Sequence, residues 1–199
     1  MTRPALIAVL FPALLAGQIP LPERDLGPGH LLVARRDLPD PNFRDSVVFL
    51  MDYSRTGAMG LIINHASRLT LAKLLPELAT VRERNDPIYR GGPVSPEGVI
   101  ALVRAESKPG DAMHVLKDVY KVTSRSALEK LLGAGKGHDK LRLFIGYSGW
   151  GPGQLDMEVA AGVWHLFRAD PDSVFSPTPE SLYQHLIRRT ELRIAFHGR

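Results

Sequence analysis

The sequence contains no cysteine among its 199 residues, which excludes disulfide bonds, thiol nucleophiles and thiolate-bound metals. Its one membrane-like stretch, Ala5 to Ala16, is shorter than the roughly 20 apolar residues that a membrane-spanning helix needs. Long blocks of lysine and arginine are absent as well. The chain has 25 basic and 21 acidic residues, and its net charge is only +4. We therefore expect no transmembrane span and no direct binding to nucleic acid.

The N-terminal stretch has the length of a signal-peptide core, but Pro4 and Pro12 interrupt it and Arg3 is the basic residue that precedes it. We predict a cytoplasmic protein, with export as the alternative if this segment acts as a signal peptide. Proline and glycine then cluster as far as Gly29. This clustering divides the chain into an apolar extension with a linker, residues 1–28, and one domain, residues 29–199.

The domain contains β-rich segments that follow one another directly and others that alternate with helical patterns. The β-branched and aromatic runs predict strands in "HLLVA", "SVVFLMD", "AMGLIIN", "PIYR", "GVIALV", "AMHVLKDVYKVT", "LRLFI" and "GVWHLFRA", with an antiparallel hairpin from Ser46 to Asn64. Helices are predicted in "TLAKLLPELA", "SRSALEKLLGAGKG" and "SPTPESLYQHLIRR". This order predicts a single-domain α+β fold with a mixed, mainly antiparallel sheet and flanking helices.

The stretch "LRLFIGYSGWGPGQLDMEV", residues 141–159, joins a strand pattern to a helix pattern through a glycine cluster. It does not complete the dinucleotide fingerprint G-x-G-x-x-G, because Gln154 occupies the third glycine position. A phosphate loop around Gly135 and Lys136 also fails, because Lys130 and Gly137 replace the first glycine and the hydroxyl residue. The sequence therefore predicts no nucleotide cofactor.

The segment "GYSGW" matches four of the five positions of the nucleophile elbow G-x-S-x-G, with Trp150 in place of the last glycine. An elbow serine needs a histidine and a carboxylate further along the chain. His165 or His185, with Asp170 or Asp172, are available, so a serine hydrolase using Ser148 remains the alternative hypothesis. No histidine pair has metal-ligand spacing, so we predict no metal site. Because no catalytic motif is complete, we also predict that the chain is not an enzyme.

Four blocks in order, "HLLVARRDLPDPNFRDSVVFLMDY", "GAMGLIIN", "YRGGPV" and "LFIGYSGWGPGQLDMEVAAGVW", resemble the signature blocks of the YqgE/AlgH family of bacterial proteins, from about Gly29 to Ile187. The resemblance implies an α+β fold and no established enzymatic activity. One branch of the family carries the name of a transcriptional regulator of alginate synthesis. Family members often have alanine at the position of Ser148, and Arg-Pro where His65 and Ala66 follow Asn64 here.

Rigid, glycine- or proline-rich loops beside strands recur in three of these blocks. We interpret them as one shared surface that binds a protein partner or a small anionic ligand, with backbone amides at a helix N-terminus contacting the ligand. Its candidate residues are Asn42, Phe43, Arg44, Asn64, Gly91, Gly92, Pro93, Tyr147, Ser148, Gly149, Trp150, Gly151, Gly153 and Gln154. The predicted function is that of a non-enzymatic binding or regulatory module.

Overall fold

A computed structural model describes residues 26–135 and 137–197 of the chain. The strands in this part are β1 (His30–Ala34), β2 (Val47–Ser54), β3 (Gly57–Ile62), β4 (Ala66–Thr70), β5 (Pro87–Arg90), β6 (Val94–Arg104), β7 (Met113–Leu116), β8 (Val119–Val122), β9 (Leu141–Trp150) and β10 (Trp164–Arg168). The helices are α1 (Leu71–Leu74), α2 (Arg125–Gly133), α3 (Gln154–Ala160), α4 (Pro171–Val174) and α5 (Pro179–His197).

The strands form one sheet in the order β10-β1-β2-β3-β9-β6-β8-β7, with β4 and β5 attached beside β9. The strand pairs in the described part of the chain are antiparallel except for β5 with β9, which is parallel. The structure thus has a single domain with a mostly antiparallel sheet and several helices, and strands account for more of it than the α+β prediction suggested.

The sheet is curled, because strands that are distant in its order contact each other. Lys121 on β8 forms an ion pair with Asp52 on β2, with 2.5 Å between Nζ and Oδ2, although β3, β9 and β6 lie between these strands in the sheet. The larger apolar cluster joins β1, β2, β3 and β10 to α3 and α5. A second cluster packs α1 and α2 against β6, β8 and the start of β9. Strand β9 contributes to both clusters and is the centre of the fold.

Several local predictions are confirmed. β2 and β3 form the predicted antiparallel hairpin, and β7 and β8 form a second one. Helix α2 follows Ser124, whose Oγ accepts a hydrogen bond from Ala127 N, as expected of an N-cap. Helix α5 begins at Pro179, which suits the first turn because proline lacks the N–H that would be unpaired there.

Other local predictions need correction. The helix in "TLAKLLPELA" is one turn long and ends before Pro76, which the sequence led us to expect to shorten it, but Thr70, expected as its cap, gives no side-chain hydrogen bond. Proline disfavours the helical conformation of the residue before it, which explains the early end. Strand β4 and helix α4 were not predicted, because each is short and its sequence lacks a clear period. The extension and linker were predicted for residues 1–28, of which residues 1–25 lie outside the described residues, so this division of the chain remains a prediction.

Candidate binding surface

The strand that pairs with one edge of β9 changes at Gly146, from β5 to β3. Phe144 and Ile145 pair with β5, whereas the segment from Ser148 to Trp150 pairs with β3. Gly91, which follows β5, joins the two regions: its N–H donates to Ile145 O, and its carbonyl oxygen accepts from Ile62 N, each over 2.9 Å. The "YRGGPV" and "GYSGW" blocks are therefore packed against each other.

This packing requires glycine. Gly92 has φ +152°, and a Cβ there would lie 2.3 Å from the carbonyl carbon of Tyr147. Gly146 has φ +66°, in the left-handed region, and a Cβ would lie 2.4 Å from Gly92 O. In contrast, a Cβ on Gly151 would meet its nearest neighbour at 3.8 Å, so no close contact requires glycine at that position.

Ser148 lies inside β9, two residues before the strand ends, and not in a strand-to-helix turn as predicted. Its side chain is fully buried, and Oγ donates to Gly91 O over 3.1 Å. His185 is exposed on α5, and His165 lies on β10 opposite Val33. In this arrangement Ser148 stabilises the contact between Gly91 and β9 and is not exposed to solvent.

Three aromatic rings, which we call the aromatic cluster, connect the "DPNFRD" loop to the end of β9. The ring of Phe43 stacks on Trp150, with 6.3 Å between centroids, and meets Trp164 edge-on at 5.6 Å. Trp150 and Trp164 also meet edge-on, at 6.0 Å. Both arrangements are favourable for aromatic quadrupoles. Sequence reasoning identified Phe43 and Trp150 as site residues but missed Trp164, because it lies in an ordinary strand pattern.

Glu158 on α3 lies at the centre of this cluster. Its Oε2 accepts the indole N–H groups of both Trp150 and Trp164, each over 2.8 Å. Its Oε1 accepts from Gln154 Nε2 at 2.9 Å, and Gln154 Oε1 in turn accepts from Gly151 N at 3.0 Å. The carboxylate thus fixes the two indoles and the loop that leads into α3. The one sequence signal for Glu158 was its spacing of four residues from Gln154.

Asn64 fixes the "DPNFRD" loop from below. Its Oδ1 accepts from Val47 N, and its Nδ2 donates to Asp45 O, each over 2.8 Å. Asp45 has φ +56°, which is uncommon for a residue other than glycine. Asn64 therefore holds the loop in place rather than contacting solvent. Burial lowers the pKa of the neighbouring residue, His65.

The predicted site residues separate into a support and an outer face. Four are buried and correct the expectation that they line a surface: Asn64, Gly91, Ser148 and Trp150. Five are half-buried: Phe43, Gly92, Tyr147, Gly151 and Gln154. Five are exposed: Asn42, Arg44, Pro93, Gly149 and Gly153. We use the name loop surface for the outer face around the aromatic cluster, formed by residues 42–44 and 151–157.

The loop surface includes one large exposed side chain that the sequence did not single out. Met157 is 66% exposed on α3, and the next large hydrophobic side chain with comparable exposure in the described ranges is Met113 on β7, at 51%. Asp156 precedes Met157, and its Oδ1 accepts the hydroxyl hydrogen of Tyr53 over 2.5 Å. This hydrogen bond raises the pKa of Tyr53.

The charges near α3 do not favour an anion at its N-terminus. The helix has seven residues, Asp156 occupies its first turn, and Glu158 follows in the next. Two carboxylates repel an anionic ligand.

Within the part of the chain that the structure describes, no group of three or more potential metal ligands is found. None of the helices in residues 26–135 and 137–197 is long and apolar enough to span a membrane.

Comparison with known proteins gives a consistent result. A profile described as AlgH-like matches residues 31–195. A UPF0301 protein from Streptomyces avermitilis is 33% identical over 172 residues, which cover 84% of this chain and 88% of that protein. A UPF0301 protein from Myxococcus xanthus is 36% identical over 168 residues, which cover 83% of this chain and 91% of that protein.

Two solved structures share the fold. The solution structure of the AlgH protein from Pseudomonas aeruginosa is 32% identical, with a TM-score of 0.68, and the match covers 81% of this chain and 87% of that one. The crystal structure of a protein from Corynebacterium diphtheriae has a TM-score of 0.71 at 24% identity, with 85% of this chain and 90% of that one covered. At that identity the second match supports the fold alone.

Proposed function

The chain belongs to the AlgH-like family, and we propose that it is a non-enzymatic binding module. The loop surface supports this proposal, because the residues below it hold it in a fixed shape. It recognises a protein partner through the loop surface, and a regulatory role follows from controlling that partner. The observation that carries this proposal is Met157, which is 66% exposed on α3 and directly precedes Glu158, the acceptor for both indoles.

The properties of the loop surface are those of a protein interface. Methionine and aromatic residues are enriched at interfaces, where a flexible thioether side chain fits partners of different shape. The support below is fixed by Glu158 and by the packing of Phe43 on Trp150 and Trp164, so little conformational entropy is lost on binding. Exposed Gly153 adds bare backbone that a partner can approach closely.

The alternative of a serine hydrolase receives no support from the geometry. A nucleophilic serine must reach the substrate and hydrogen-bond to a general base. Ser148 Oγ is buried and donates to a backbone carbonyl, that of Gly91. We therefore propose no reaction for this chain.

Affinity capture with matched bait variants tests the proposal. Met157→Glu places a charge on the loop surface, whereas Met113→Glu makes the same change at a comparably exposed methionine on β7. Proteins captured from a bacterial lysate by the wild-type chain are quantified by mass spectrometry and compared with those captured by each variant. We expect Met157→Glu to lose at least one reproducible partner that Met113→Glu retains. Equal retention by the two variants contradicts the proposal.

A further inference from the structure

We propose that protonation of His138 releases residues 137–140 from strand β5, so that this segment, which leads into β9, acts as a pH-sensitive switch. The proposal goes beyond the binding function and does not depend on the loop surface. Three features of the described chain support it: the way in which the segment is attached, the hydrogen bond that attaches it, and a buried cation next to that bond.

Residues 137–140 are attached to β5 through one side chain. His138 is half-buried, whereas the other three residues of the segment are exposed. Its imidazole lies nearly parallel to the ring of Tyr89 on β5, with 5.9 Å between centroids, and Nε2 is 3.0 Å from the Tyr89 hydroxyl oxygen. At the end of the segment, Lys140 O accepts from Arg104 N over 2.8 Å. The contact of His138 with Tyr89 therefore holds the middle of the segment.

The hydrogen bond between His138 and Tyr89 depends on the charge of the imidazole. A neutral imidazole can accept the hydroxyl hydrogen at Nε2, whereas an imidazolium carries hydrogen on both ring nitrogens and accepts none. Tyr89 is fully buried, and its hydroxyl group has no other hydrogen-bond partner among the described residues. Protonation therefore removes the acceptor of a buried hydroxyl group, which costs more than losing an exposed hydrogen bond.

A buried cation also contacts Tyr89. The guanidinium of Arg142 on β9 is 5.2 Å from the centroid of the Tyr89 ring, and Arg142 is 1% exposed. Two basic residues are buried within residues 26–135 and 137–191, Lys121 and Arg142. Lys121 is paired with Asp52, whereas Arg142 donates to two backbone carbonyl oxygens and has no described carboxylate within the 4.0 Å of an ion pair. A positive charge on the nearby imidazole would therefore be repelled by a charge that the fold does not neutralise.

The groups around His138 favour its neutral form. Burial lowers the pKa of His138, and the positive charges of Arg142 and Arg84 lower this pKa as well. The carboxylates of Asp86 and Asp139 raise it, but Asp86 is paired with Arg84 at 2.6 Å. The attached segment therefore binds a proton less readily than the released one. Attachment is most stable above about pH 6.5 and weakens as the pH falls through the lower pKa of the attached imidazole.

Amide hydrogen exchange, followed by NMR on the full ¹⁵N-labelled chain between about pH 7.5 and about pH 5, tests the switch. The reporter is the N–H of Lys140, which donates to Gly137 O over 2.9 Å within the segment. The intrinsic exchange rate at each pH is divided by the measured rate, so that the resulting protection reports opening alone. The reference is the N–H of Ile63, which donates to Val47 O in the core.

Three variants are measured beside the wild-type chain, and their NMR spectra show whether each is folded. His138→Gln cannot be protonated, and Tyr89→Phe removes the hydroxyl group while keeping the ring. His114→Gln makes the first change at an exposed histidine on β7 and is the matched control.

We expect the protection of Lys140 to fall roughly tenfold from about pH 7.5 to about pH 5 in the wild-type chain and in His114→Gln. In His138→Gln the protection should change less than about twofold over this range, because no imidazole titrates there. In Tyr89→Phe it should be low already at about pH 7.5, because the attaching hydrogen bond is missing. Ile63 should keep its protection throughout.

Constant protection of Lys140 in the wild-type chain overturns the proposal, and so does an equal fall in His138→Gln. A simultaneous loss at Ile63 overturns it as well, because the whole fold then opens rather than the segment. If His138→Gln does not fold, the ring signals of His138 in the wild-type chain replace it. A ring titration that coincides with the fall at Lys140 supports the switch, and one that leaves the protection of Lys140 unchanged refutes it.

Discussion

Trp150 and Trp164 donate their indole N–H groups to the same oxygen of Glu158, although one lies on the central strand β9 and the other on β10 at the end of the sheet order. The curl of the sheet brings the two indoles together, and one carboxylate from α3 fixes both. Buried indole N–H groups need acceptors, so the position of α3 and the packing of the aromatic cluster depend on each other.

We predict that Glu158→Ala lowers the free energy of unfolding by about 3 kcal/mol or more, because it leaves two indole N–H groups without an acceptor. Glu158→Gln retains one oxygen and should cost about 1–2 kcal/mol. Urea denaturation followed by tryptophan fluorescence measures both. Glu106→Gln, at an exposed loop position, is the control and should change stability little. A loss in Glu158→Ala no larger than in the control contradicts a structural role for Glu158.

Gly92→Ala should destabilise the fold severely, by about 3 kcal/mol or more, because the added Cβ meets backbone atoms at 2.3 Å and φ is +152°. Gly133→Ala makes the same chemical change at the end of α2, where nothing lies within 4 Å. It should be neutral or stabilise by up to about 1 kcal/mol. Thermal unfolding of the two variants compares them directly, and similar melting temperatures would refute the close contact between Gly92 and β9.

Ser148→Ala should cost about 1 kcal/mol, because it removes one buried hydrogen bond while Gly91 O keeps its bond from Ile62 N. Since Ser148 is buried, the substitution should leave binding by the loop surface unchanged. Hydrolysis of p-nitrophenyl esters is measured alongside stability. Turnover by the wild-type chain that disappears in Ser148→Ala at unchanged stability would restore the serine hydrolase hypothesis.

Stability should fall as the pH is lowered from about 7 to about 5. Burial lowers the pKa of His65, and burial together with the positive charge of Arg142 lowers the pKa of His138. Each imidazole takes up a proton less readily in the folded chain than in the unfolded chain, whose histidine pKa is about 6.5. The stability that the two neutral imidazoles contribute is complete above about pH 6.5. It is lost as the pH falls from there through their lower pKa values in the folded chain. Urea denaturation of the double variant His65→Gln, His138→Gln should show a smaller loss, and an unchanged pH profile would contradict this assignment.

The sequence predicted the local structures whose cause is local. The β2–β3 hairpin follows from β-branched runs around a turn, and Ser124 caps α2 with its own hydroxyl group. The glycine cluster in residues 141–159 was a local signal as well, and within it Gly146 leaves no room for a Cβ. The same reasoning failed for Ser148, because the end of a strand depends on pairing with β3.

The site itself was only partly predictable, because it depends on the curl of the sheet. Glu158 and Trp164 are ordinary residues of a helix and a strand until the tertiary fold places Trp150 beside them. Exposure of Met157 likewise depends on which face of α3 packs inward, where Leu155 and Val159 are buried. A residue pattern cannot show which carboxylate meets which indole when the elements come from separate parts of the chain.

The most direct test of a binding role for the loop surface is site-specific photo-crosslinking in bacterial cells. The photoreactive amino acid p-benzoylphenylalanine replaces Met157 in one sample and Met113 in the other, and adducts are identified after irradiation. Our account predicts a discrete protein adduct from position 157 that position 113 does not give. The same adducts from both positions, or adducts from position 113 alone, would contradict it.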